Sequence, residues 1–126
     1  MAIILADIKH FKQINDTFGH DCGDFVLKEI ARIMRHNIRE QDVIARWGGD
    51  EFLLVLPAID LAGAHIAMEK MQLALGAAKF CYEESEFALT VTFGVVQFDL
   101  QLDIDANIRR ADEALYQQKE ACRNPI

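Results

Sequence analysis

The stretch from Val43 to Leu56 constrains this chain more than any other. Val43-Ile44-Ala45 leads into Arg46-Trp47-Gly48-Gly49-Asp50-Glu51-Phe52, and Leu53-Leu54-Val55-Leu56 follows. Two apolar runs separated by Gly48-Gly49 read as a β-hairpin, about 43–47 and 51–56. Paired glycines permit the positive φ values that a tight two-residue turn needs. Asp50 and Glu51 would then open the returning strand, with strand alternation sending their carboxylates to opposite faces. Two acids at a glycine tip repel each other and add nothing to a core. Either they hold a metal or phosphate ligand, or they form a solvated acidic turn, a common setting for acids.

The other strands and helices follow from periodicity. Ile3 to Ala6 reads as a buried strand with Asp7 at its C-terminal end. Phe11, Ile14, Thr17 and Phe18 share a helical face, and Gly19 stops that helix. Asp21 is placed to N-cap a second helix over 22–39, with Asp24 in a capping-box-like position. Pro57 and Asp60 open a third helix carrying Leu61, Ala64, Met68, Met71 and Leu75, which Gly76 ends or weakens. Phe80–Tyr82 and Phe87–Phe98 suggest a second hairpin around Glu83-Glu84-Ser85, with Gly94 marking a bulge or a close backbone approach. A last helix spans Asp105 to Cys122. Strands that come in hairpins predict an α+β fold with a central, mostly antiparallel, five-stranded sheet flanked by helices.

A length of 126 residues predicts one domain with a real core. The net charge of −7 and pI near 5.0 argue against non-specific binding to nucleic acid or an acidic membrane. A polyanionic ligand would therefore need a cation or a few placed basic residues. Cys22, Cys81 and Cys122 are odd in number and form no C-x-x-C pattern, which suggests reduced thiols and a cytoplasmic location. No apolar run is long enough to insert in a membrane.

Gly48-Gly49-Asp50-Glu51-Phe52 is also the GGDEF signature, and the chain resembles the catalytic domain of diguanylate cyclases. The resemblance extends to Asp7-Ile8-Lys9-His10-Phe11-Lys12-Gln13-Ile14-Asn15-Asp16, Gly19-His20-Asp21 and Gly23-Asp24. It continues through Arg46, Thr92-Phe93-Gly94-Val95, Ala111-Asp112-Glu113-Ala114-Leu115-Tyr116, Lys119 and Arg123-Asn124. It implies a sheet related to nucleotidyl cyclase and polymerase palm domains, with a ferredoxin-like core. The implied reaction joins two GTP molecules into cyclic di-GMP, releasing two pyrophosphates in bacterial second-messenger signalling.

By that resemblance Asp7, Asp50 and the main-chain carbonyl of Ile8 bind Mg²⁺ or Mn²⁺, two ions per site. Glu51 is the other essential acid, assisting deprotonation of the 3′-hydroxyl or holding a metal. Gly48 and Gly49 belong to the substrate loop. Asn15 and Asp24 read guanine, whose adjacent N1–H and N2–H a carboxylate accepts together. Lys119 and Arg123 bind phosphate. Arg39 and Asp42 match R-x-x-D, the inhibitory product site. Taken singly, several of these have plain structural explanations. Asp7 suits a helix N-cap, Asp24 a capping box, Lys119 and Arg123 a helix C-terminus, and Arg39 and Asp42 a solvated helix end.

The chain also departs from the family pattern. The family's preceding helix, with its D-x-L-T-x-L-x-N-R motif, is expected to be missing here. Lys9 replaces a common acid and is expected to point away from Asp7. Cys122 replaces a frequent glycine. Two rival readings stand beside the cyclase: a weakly active regulatory domain binding GTP or cyclic di-GMP, and a nucleotidyl cyclase with another product. Retention of Asp7, Asp50 and Glu51 favours the enzyme. One GTP per domain implies a transient homodimer during catalysis.

Overall fold

The computed structural model describes the backbone of residues 1–123 and the side chains of residues 1–121. Its centre is β1 (Ala2–Ile8), which pairs antiparallel with β3 (Glu51–Leu56) on one side and β6 (Val91–Gln97) on the other. β2 (Val43–Arg46) adds to β3, giving a four-stranded sheet in the order β2-β3-β1-β6.

β1 is apolar nearly throughout because both of its faces are covered. Ile4, Ala6 and Ile8 join Phe52, Leu54 and Leu56 beneath helices α1 (Phe11–Phe18), α2 (His20–His36) and α3 (Leu61–Ala77). Ile3 and Leu5 face the other way and meet Ala111 and Leu115 of α4 (Ile104–Arg123). Burying each such aliphatic side chain contributes roughly 1.5–3 kcal/mol. Gly94 sets the distance of α4 from the sheet. A Cβ there would lie 2.4 Å from the Leu115 amide nitrogen and 2.6 Å from the Ala111 carbonyl oxygen. The expected close backbone approach is real, and it has this cause. Among the described residues, no helix is long and apolar enough to cross a membrane.

The α+β class is as expected, but several details are not. The predicted fifth strand of the sheet lies elsewhere: β4 (Phe80–Tyr82) pairs with β5 (Ser85–Phe87) as a separate hairpin. Its turn is Glu83-Glu84, with Glu83 at a left-handed φ of 54°. All seven residues of β6 are taken up by β1, so the expected long arm divides at Ala88–Thr90. The small hairpin packs instead through rings, Phe87 against Phe18 and Tyr82 against Phe25.

The second helix begins at His20, with Gly19 at the N-cap (φ 94°), so Asp21 stands in the first turn and caps nothing. The helix ends at His36, with the N–H of the C-cap Asn37 donating to the Met34 carbonyl, and the Arg35 side chain holds the following loop through the carbonyls of Glu40 and Asp42. Asp60 does cap α3, accepting from the Gly63 N–H at 2.8 Å, but α3 runs past Gly76 to Ala77. The central hairpin has no two-residue turn. Residues 47–50 form a four-residue loop, and neither Gly48 nor Gly49 has positive φ. The Glu51 carbonyl closes this loop by accepting from the N–H groups of Trp47 and Gly48.

Candidate functional site

The site grows from the register of the sheet. Asp7 stands opposite Glu51 on β3 and opposite Thr92 on β6. Strand alternation puts Asp7 on the same face as Ile3 and Leu5, the face that α4 covers. On α4, Ala111, Leu115 and Lys119 recur at every fourth residue. The stripe that seats the helix on the sheet therefore carries Lys119 to Asp7, and the ammonium contacts the Asp7 carboxylate directly.

Asp50 belongs to the loop, so alternation does not govern it. Its main-chain carbonyl accepts from the Ile8 N–H at 3.1 Å, which pins the loop to the end of β1. Its carboxyl comes within hydrogen-bonding reach of Asp7. Glu51 stands opposite Asp7 in the register while Asp50 reaches Asp7 from the loop, so the two carboxyls converge where they were expected to diverge. The Glu51 carboxylate lies along Gly48, where a Cβ would approach Oε2 at 3.2 Å.

Electrostatics follows from this crowding. Burial raises the Asp50 pKa above the ordinary carboxylate value, and the charge of Asp7 and a hydrogen bond to it raise it further. Burial likewise raises Glu51, reinforced by Asp7, Asp50 and Asp112. For Lys119 burial acts to lower the pKa, but the hydrogen bond to Asp7 and the surrounding carboxylates outweigh it and raise the value. One Asp7 oxygen, Oδ1, is buried with no hydrogen-bond partner among the described residues. An orphaned carboxylate oxygen beside a second carboxyl group suits a hard divalent cation. Among the described residues no cluster of three or more His, Cys, Asp or Glu side chains is arranged around a point. Two converging carboxylates are the donor set Mg²⁺ commonly takes, the remainder being water and phosphate. Asp7, Ile8, Asp50, Thr92 and Lys119 line one recess of about 330 Å³.

Asn15 and Asp24 lie to one side. Asn15 on α1 sits across Gly23 on α2, where a Cβ would fall 1.9 Å from the Asn15 Oδ1. Gly23 thus packs against a candidate site residue, and the sequence reading assigned it no role. The signal was there, a glycine inside an otherwise helical pattern. Asp24 is exposed and makes no capping bond; with Leu27, Lys28, Arg46 and Phe52 it lines a recess of about 300 Å³. Arg46 went similarly unread. Its guanidinium donates to the carbonyls of Gly48 (3.2 Å) and Gly49 (3.0 Å), bracing the loop from the strand before it.

Lys9 departs from expectation. Residues two apart share a strand face, and although β1 ends at Ile8, Lys9 keeps that side and lines the same recess as Asp7. Arg39 and Asp42 do come together, but on each other. The Arg39 guanidinium donates to Asp42 Oδ1 at 2.7 Å, and the Arg39 N–H donates to Oδ2 at 2.8 Å. The Asp42 carboxylate is sealed, its side chain 1% exposed. Arg123 is the last residue of α4, and its side chain, like that of Cys122, lies outside the described residues.

Known proteins with this sequence and geometry form a consistent group. The family described as "Diguanylate cyclase, GGDEF domain" matches residues 1–125. Diguanylate cyclase DgcP of Pseudomonas aeruginosa is 40% identical over 126 residues, covering 100% of this chain and 19% of that protein. Diguanylate cyclase A of Treponema denticola is 35% identical, covering 100% of this chain and 34% of that protein. The chain thus spans about a fifth to a third of these curated relatives. Diguanylate cyclase SiaD of Pseudomonas aeruginosa, solved in complex with its activator SiaC, superposes with a TM-score of 0.91. It is 37% identical, over 95% of this chain and 46% of that one. The GGDEF domain of DgcB from Caulobacter crescentus, solved in complex with c-di-GMP, gives a TM-score of 0.89 at 27% identity. That match covers 95% of this chain and 72% of that one. From the signature, the register that gathers Asp7, Asp50 and Glu51, and these likenesses together, the chain belongs to the GGDEF domain family of diguanylate cyclases.

Proposed function

We propose that this domain condenses two GTP molecules into cyclic di-GMP, with release of two pyrophosphates. The observation that carries the reading is the convergence of Asp7, Asp50, Glu51 and Lys119 at the end of β1. Asp7, Asp50, Glu51 and the Ile8 carbonyl are the groups that would hold divalent ions. Two Mg²⁺ or Mn²⁺ supply activation of an attacking 3′-hydroxyl and neutralise charge on the α-phosphate and the leaving pyrophosphate.

The remaining steps belong to the chain itself. Glu51, held above its ordinary pKa by burial and its acidic neighbours, is suited to accept the 3′-hydroxyl proton. Lys119, which pairs with Asp7, and Arg123 are the residues of this reading that bind the phosphates. Asp24 accepts from guanine N1–H and N2–H, and Asn15, held across Gly23, completes the reading of the base. Adenine offers no such pair of donors, so discrimination follows from unsatisfied polar groups. Gly48 and Gly49 let the substrate come close to the main chain.

Each domain would hold one GTP, so each 3′-hydroxyl attacks the α-phosphate held by a facing copy. This makes the active species a transient homodimer. Product feedback through Arg39 and Asp42 is part of the same reading. Because Asp42 is sealed, the group offered to a guanine edge is the Arg39 guanidinium. The test is a rate series with GTP and Mg²⁺ over a wide range of protein concentration. Specific activity is expected to rise with concentration; no cyclic dinucleotide at any concentration would overturn the proposal.

A further inference from the structure

We propose that the loop between β6 and α4 is a docking surface for a cationic amphipathic helix of a partner protein. Ala2 pairs with Gln97, so this loop lies at the start of β1, whereas Asp7 stands at the other end of that strand. Leu100 is 89% exposed there, Ile104 65% and Leu102 40%. Among the described residues Leu100 is the most exposed of the large apolar side chains. Single exposed apolar residues are ordinary, but three within five positions make a patch.

The loop is built to hold these side chains out. Asn107 is fully buried, and its side-chain amide donates to the carbonyls of Asp99 (3.0 Å) and Asp103 (2.9 Å). Its oxygen accepts from the Asp99 N–H at 2.8 Å. The Asp99 carboxylate accepts from the Gln101 N–H, and the Asp99 carbonyl from the Leu102 N–H. The Phe98 N–H donates to the Met1 carbonyl, which fixes the entry of the loop. Asp103 caps α4 through the Ala106 N–H at 2.7 Å, which fixes its exit. A loop cinched in this way does not fold its leucines inward, and a partner that covers them has little loop entropy to remove.

Charge selects the occupant. Asp99, Asp103 and Asp105 interleave with the apolar residues, and the stretch 98–105 contains no Lys, Arg or His. Asp105 has no partner among the described residues. Arg109 stands one turn further along α4, and the Arg110 guanidinium is spent on the Gln97 carbonyl and the Asn107 oxygen. Three acids repel a second copy of the same patch and an anionic lipid surface, and they attract a basic segment. The N–H groups of Phe98, Asp99, Gln101 and Leu102 are all engaged within the molecule, so recognition falls to side chains rather than to main-chain pairing. A helix, its own main chain satisfied, offers an apolar stripe flanked by Lys or Arg. Ile104 and Lys119 are fifteen residues apart on α4, about 22 Å, so a partner seated at the loop leaves the nucleotide recesses open.

The test is fluorescence anisotropy of a labelled helical peptide with leucines along one face and lysines on the other, and of its counterpart with glutamate in place of lysine. The proteins are the parent, Leu100→Ser, Asp105→Lys and, as a control on α3, Leu73→Ser, whose side chain is likewise exposed. The parent is expected to bind the lysine peptide and not the glutamate one. Leu100→Ser should weaken that binding roughly tenfold, within the value of covering one leucine. Asp105→Lys should weaken it as well, and added salt should then cost the variant less affinity than it costs the parent. Leu73→Ser should bind as the parent does. Equal binding of the two peptides, or Leu100→Ser no weaker than Leu73→Ser, would overturn the inference. So would binding of the parent to phosphatidylglycerol vesicles, or a dimer in gel filtration, that Leu100→Ser abolishes, since either assigns the patch to another occupant.

Discussion

Replacing Asp50 by Asn is expected to abolish catalysis and stabilise the metal-free fold. Asp50 and Asp7 lie within hydrogen-bonding reach, and one Asp7 oxygen is buried without a partner. Two unit charges about 4 Å apart repel by roughly 4 kcal/mol at the effective dielectric of a site near the protein surface. Lys119 against Asp7 offsets most of this, and Asp50 is only half-buried, so solvent screens the rest. Removing the charge is then worth about 1 kcal/mol, and the new amide can also donate to the orphaned oxygen. For a domain of this size the shift is about 3–5 °C in Tm. The assay is thermal unfolding with chelator and with Mg²⁺. The parent should gain stability from Mg²⁺ and Asp50→Asn much less. A variant less stable than the parent in chelator, or Mg²⁺ stabilising both equally, would refute the reasoning.

The remaining predictions concern other parts of the molecule. Gly23→Ala improves helix propensity but displaces Asn15, so GTP affinity should fall by calorimetry while Tm holds or rises. Gly94→Ala drives a methyl group into the α4 backbone and should cost about 3 kcal/mol in denaturant unfolding. Arg39→Ala strips the side-chain partner from a buried carboxylate and should cost roughly 1–3 kcal/mol, so weakened cyclic di-GMP binding by this variant must be read at a temperature where it is folded. On pH, the raised folded-state pKa of Asp50 means that the native protein binds that proton more readily than the unfolded chain. Its contribution to metal-free stability should rise as pH falls from neutral through that raised pKa, and vanish in Asp50→Asn, as read by Tm against pH.

Much of this was legible because it depends on local pattern. Apolar periodicity placed the helices and the three long strands, and Asp60, read together with Pro57, marked the start of its helix. The motif blocks named the acids at the end of β1, but they could not say which way Asp50 points. That depends on a four-residue loop pinned to Ile8, not on alternation. Gly94 signalled a close approach without naming its partner, since α4 follows it by ten residues and packs by tertiary contact alone. The fifth strand was misjudged because a run of β-formers cannot show where pairing partners run out. Lys9 was misjudged for a different reason: residues two apart share a strand face, so alternation carried one residue past Ile8 already puts Lys9 on the side of Asp7. The mutual sealing of Arg39 and Asp42 depends on Arg35 and Pro57 closing around them, which no spacing reveals.

The central claim is that two GTP molecules are joined in one product. An equal mixture of ordinary and uniformly heavy-isotope GTP, incubated with the protein at high concentration and Mg²⁺, tests this in a single mass spectrum. The account predicts cyclic di-GMP as light, mixed and heavy species with the mixed one most abundant, and no cyclic dinucleotide from ATP. Turnover with no mixed species, or no cyclic dinucleotide at all from GTP, would contradict it.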